Sequence, residues 1–112
     1  MNHGIREADW KLFRALHPIA LDRFSERVLA RVRQLANDEK QTAHERYLAL
    51  YKLIEDRDRD MARIFNDQRR STALMQLAAM RADDLMTDEE LARFSSETRE
   101  VLLRFSNPRP QP

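Results

Sequence analysis

The stretch MARIFNDQRRSTALMQLAAM, residues 61–80, decides how this chain folds. Met61 and Phe65 end one apolar stripe, and Leu74, Leu77 and Ala78 begin another. At about 100° per residue, the step from Phe65 to Leu74 carries the apolar face about 180° around a helix. A straight helix cannot serve one core from opposite sides. The spacing therefore predicts a break between Asn66 and Ser71, with Asn66, Asp67 or Ser71 as the cap. The competing arrangement is one long helix running between two partners, which requires an oligomer.

Downstream, the pattern predicts a helix over Ser71–Met86. Its stripe is Leu74, Leu77, Ala78 and Leu85, and Gln76 is the only polar residue between Ala73 and Met80. Such a helix belongs at the centre of a fold. Thr87 and Glu90 then form a capping box for a last segment, which Ser95 and Ser96 interrupt before Val101, Leu102 and Phe105. Upstream, Thr42 and Glu45 form another capping box. They open a helix with the stripe Ala43, Tyr47, Leu50, Tyr51, Ile54, Met61 and Phe65, read as core-facing. Asn37–Gln41 is the loop before it. A helix over Pro18–Ala36 carries Leu21, Phe24, Val28, Val32 and Leu35. A short one over Glu7–Leu16 carries Trp10, Phe13 and Leu16. His17 is expected at a bend between them, because a residue before proline is biased out of the helical region.

The composition agrees. Gly4 is the only glycine, and the prolines are Pro18, Pro108, Pro110 and Pro112. A β protein would need more glycine in its turns. The expected fold is all-α: a compact bundle of four to five helices, orthogonal or irregular rather than a long coiled coil. Residues 1–106 read as a single helical domain, and 107–112 as a short Pro-rich tail. The 112 residues support one modest core, so a homodimer is one route to stability.

Several functions are disfavoured by composition. There is no cysteine, which removes disulfides and thiolate chemistry. The start, MNHGIREADWKLF, carries acidic residues and lacks a long apolar run, so it does not read as a signal peptide. No segment approaches the roughly 20 apolar residues that span a bilayer. The default location is cytoplasmic. The histidines His3, His17 and His44 are scattered, with no paired carboxylate–histidine spacing, so no metal or cofactor is expected. Nor does any serine–histidine arrangement or Gly-rich phosphate loop stand out.

Three groups remain as candidates. In the run EDRDRD, residues 55–60, Asp56, Arg59 and Asp60 fall on a solvated, salt-bridged face. Asp58 instead falls on the apolar stripe. A carboxylate there is a buried, paired group, an interface contact or, as the third reading, the centre of an enzyme site. Arg23, Arg27 and Arg31, spaced by four, form a ridge, and Arg69 and Arg70 add a basic pair. These arginines fit phosphates, an acidic protein surface, or intramolecular salt bridges. The net charge of +1 gives nucleic acid no general support. Trp10 and Phe13 either close the end of the bundle or anchor a partner. The leading expectation is a non-catalytic module for protein–protein interaction or regulation, with a second copy of itself among the candidate partners. Nucleic-acid binding through the arginines is the alternative.

Overall fold

The computed structural model of the protein describes residues 4–105. It is all-helical, as the sequence predicts, with no strand among the described residues. Among the described residues there are five helices: α1 Glu7–Ala36, α2 Ala43–Phe65, α3 Arg70–Ala82, α4 Asp88–Ala92 and α5 Ser96–Phe105. The Pro-rich tail expected at 107–112, and His3, lie outside the described residues.

The predicted break between α2 and α3 is present. Asn66 leaves the helix in an extended conformation and Asp67 takes φ 66°, the left-handed region that Asp tolerates better than most residues. The buried Gln76 amide donates to the carbonyls of Asn66 and Asp67, and the Thr72 hydroxyl donates to Asp67 O at 2.6 Å. The break thus satisfies its own backbone. The capping boxes at Thr42–Glu45 and Thr87–Glu90 both form.

Two boundaries differ from expectation. Glu7–Ala36 is one helix of 30 residues, with Pro18 inside it and no break at His17. Phe13, Leu16, His17, Ala20 and Phe24 form one continuous buried stripe across the proline. Burying that stripe outweighs a penalty of about 3 kcal/mol for an interior proline. The ring of Pro18 itself is exposed. His17 is a core residue whose Nε2–H donates to Phe65 O at 2.9 Å, while Nδ1 accepts from Gln68 Nε2 at 3.2 Å. It closes the end of α2. The second difference is the end of α3, at Ala82 rather than Met86. Asp84 takes φ 59°, Leu85 N donates to Met80 O at 2.8 Å, and Asp84 N donates to Arg81 O at 3.1 Å. This is a Schellman turn with Asp where glycine is usual. Without a glycine the sequence does not announce it.

The core gathers Phe13, Leu16, Ala20 and Phe24 of α1, Ile64 and Phe65 of α2, Ala73, Leu77 and Met80 of α3, then Leu85, Met86, Leu91, Phe94 and Leu102. As the apolar run from Ala73 predicts, α3 is central: it packs on α1, α2 and α5. Ile5 is buried too, and Gly4 lies so close to Arg70 that an added Cβ would sit 2.8 Å from the Arg70 Cβ. Here the lone glycine permits a close approach.

Beyond this bundle, α1 and α2 continue as a hairpin. No residue of α1 after Phe24 and none of α2 before Ile64 is fully buried. At 1.5 Å per residue α1 is about 45 Å long and α3 only about 20 Å, so the later helices cover one end alone. The molecule measures 56 × 31 × 19 Å with a radius of gyration of 16.8 Å, against about 13 Å for a spherical domain of this length. The hairpin is an arm. Among the described residues, no helix is long and apolar enough to cross a membrane.

Candidate functional site

The arginine ridge is tied into the fold. Arg23 reaches Glu90 with both terminal guanidinium nitrogens, at 2.7 and 2.9 Å, and also donates to Leu85 O at 2.9 Å. The hydrogen bond from Arg23 holds the Glu90 carboxyl below its usual value, and Glu90 raises Arg23 in turn. Arg27 pairs with Asp83 at 2.9 Å. Among the described residues, Arg31 bonds only Gln34, at 3.1 Å. At the break, Arg69 pairs with Asp67 at 2.6 Å. Arg70 pairs with Glu7 and lies 5.7 Å above the Trp10 ring. Four of the five candidate arginines are thus already matched by carboxylates. Their partners are Asp83 and Glu90 after α3, together with Glu7 and Asp67, and not the acidic residues of α2.

The aromatic pair divides. Phe13 is fully buried, so it is core and no surface anchor. Trp10 is half-buried, stacked on Phe13 at 5.6 Å, and closes the end of the bundle beneath Arg70.

Asp58 is not buried. It is exposed on α2, because the stripe on which it falls faces solvent rather than the core. Its neighbours behave as the charge pattern predicts. Asp56 pairs with Lys52 and Arg59, and Asp60 with Arg57 and Arg63. The bond from Lys52, helped by Arg59, draws the Asp56 carboxyl down. Among the described residues, no three His, Cys, Asp or Glu side chains gather as a metal site.

The strongest surface feature lies on the arm. Leu29, Tyr47, Leu48, Tyr51 and Ile54 are between 47% and 65% exposed. The sequence reading placed Tyr47, Tyr51 and Ile54 in the core. Instead, where α1 and α2 pack together, the half-buried apolar residues are Val28, Val32 and Leu35 on α1 and Ala49, Leu50 and Leu53 on α2, one flank further round the helix. Arg46 secures the tip by donating to Ala36 O at 2.7 Å. His44 stacks on Tyr47 with ring centres 6.1 Å apart, which sets both on the same flank. Further along it, Ile54 and Asp58 line a shallow groove with Ser25, Val28, Leu29 and Met61. Leu29 and Leu48 were absent from the sequence-based candidates. The signal that reveals them is length, since the remaining helices are too short to cover a helix of 30 residues.

No protein-family model, curated protein or solved structure shows a significant match to this chain.

Proposed function

We propose that this protein is a non-catalytic protein-interaction module whose working surface is the apolar flank of the α1–α2 arm. The observation that carries this reading is the row Tyr47, Tyr51 and Ile54, bordered by Leu29 and Leu48, left in solvent on a helix. Scattered exposed apolar residues are ordinary, but a contiguous row on a projecting element is the form of a partner site. Tyrosines suit such a site, giving large contact area for little lost side-chain freedom. The partner presents an amphipathic helix, because a ridge spaced three and four residues apart accepts another such ridge. Arg23 and Arg27 brace the arm against the bundle through Glu90 and Asp83 and so give the surface a fixed base.

Photo-crosslinking tests the reading. Benzoylphenylalanine in place of Tyr51, in living cells, is expected to give a discrete adduct. Adding Ile54→Glu should abolish it, and the probe at exposed Glu26 should give none. Equal, diffuse labelling at positions 51 and 26 would remove the arm as an interaction surface.

A further inference from the structure

We propose that the partner is a second copy of this chain, docked antiparallel along α2 with the two-fold axis of the dimer at Tyr51. This rests on the reading of the arm as an interaction surface and names its occupant.

The argument is the symmetry of the exposed flank about Tyr51. A two-fold axis through one residue of a helix sets each position before it against the same position after it in the other copy. Three residues to either side stand Leu48 and Ile54, both large, apolar and about half exposed. Four to either side stand Tyr47, whose hydroxyl can donate, and Glu55, whose carboxylate can accept. Seven to either side stand His44, a donor, and Asp58, an acceptor. All seven residues are exposed. At about 100° per residue all fall within about 60° of Tyr51, on one flank. Every pair the symmetry creates is compatible: apolar on apolar twice, donor on acceptor four times, and Tyr51 on its own mate at the axis. Shifting the axis by one turn loses this. An axis at Tyr47 brings Tyr51 against Ala43, and one at Glu55 brings like charges together at the centre.

The flank is also accessible. The α1 helix covers the side of α2 that bears Leu50 and Leu53, not the side that bears Tyr51. Leu29, beside Ile54 in the groove, extends the apolar area toward the partner's arm. Asp58 thereby acquires a role: an exposed carboxylate at the end of an apolar row marks the register. His44 is held for the same contact by its stacking on Tyr47. The contact spans about 21 Å of helix, which is short, so the dimer is expected to be of micromolar strength rather than obligate.

Sedimentation of the purified full chain, with disulfide trapping, tests this. Because the chain has no cysteine, Tyr51→Cys carries a single thiol. On mild oxidation Tyr51→Cys chains are expected to link as dimers, while Glu26→Cys, on the outer side of α1, stays monomeric. His44→Asp, which opposes two carboxylates at each end, should weaken the wild-type dimer about tenfold. The double change His44→Asp with Asp58→Arg should restore it to within about threefold. Circular dichroism confirms that each variant remains helical. A wild-type monomer at high micromolar concentration would overturn the dimer, as would trapping no faster at 51 than at 26. If the probe at Tyr51 nevertheless crosslinks a different protein, the interaction surface stands and only the self-pairing falls. If it crosslinks nothing, both fall.

Discussion

Asp9 on α1 caps the start of α5 across 86 residues of sequence: its carboxylate accepts from Ser95 N at 2.9 Å and from Ser95 Oγ at 2.6 Å. The Thr98 hydroxyl adds a third bond at 2.7 Å. Asp9 is almost fully buried, so these bonds replace its water. Helix α5 is short and would not persist without docking. Replacing Asp9 by Ala leaves three donors without an acceptor and is expected to cost about 2–3 kcal/mol in urea unfolding. Ser95→Ala, which keeps the backbone bond, should cost about 1 kcal/mol. Equal effects would mean that the hydroxyl carries the cap.

The same carboxylate shapes the response to acid. Burial pushes Asp9 up, but the Ser95 hydroxyl and amide and the Thr98 hydroxyl outweigh this and hold it below 3.8. Glu90 is held below 4.5, chiefly by Arg23. Both folded values lie below the unfolded ones, so their contribution is complete above the unfolded values and vanishes as pH falls through the folded ones. Stability is therefore expected to decline from about pH 5 downward. Asp9→Asn should flatten that decline when unfolding free energy is measured as a function of pH. An unchanged slope would show that Asp9 does not drive it.

Pro18 is a place to gain stability. It interrupts the backbone bonding of α1, and its exposed ring contributes no core packing. Pro18→Ala should restore an N–H directed at the Arg14 carbonyl and stabilise the protein by about 1–3 kcal/mol, seen as a raised thermal midpoint. A lowered midpoint would mean that the proline relieves a strain the straight helix would suffer.

The arginine ridge should divide by partner rather than by position. Arg23→Ala strands a largely covered Glu90 and removes a donor from Leu85 O, and should cost about 2 kcal/mol. Arg31→Ala should change stability by less than about 0.5 kcal/mol. A ridge built for phosphate would instead show similar small stability effects at both, and salt-sensitive DNA or RNA binding by the wild type.

The sequence carried the local events well. The capping boxes at Thr42 and Thr87, the break after Asn66 and the central place of α3 each rest on residues within a few positions of one another. Periodicity and hydrogen-bonding type suffice for these. Pro18 misled because its local penalty is real, yet it is smaller than the gain from burying Phe13, Leu16, Ala20 and Phe24 together. The end of α3 was hidden because Asp84 fills a position where glycine is the usual marker.

Which apolar residues would be covered was not a local matter. Tyr47, Tyr51 and Ile54 have the spacing of a core stripe, and the one local sign against burial is Asp58, which falls on the same stripe and is exposed with it. Their exposure follows from the lengths of α3, α4 and α5, which run out before the end of the arm. The pairing of Asp9 with Ser95, and of Arg23 with Glu90, likewise depends on segments far apart in the chain meeting after collapse. Periodicity reports that a face is apolar, whereas burial needs a second surface long enough to meet it.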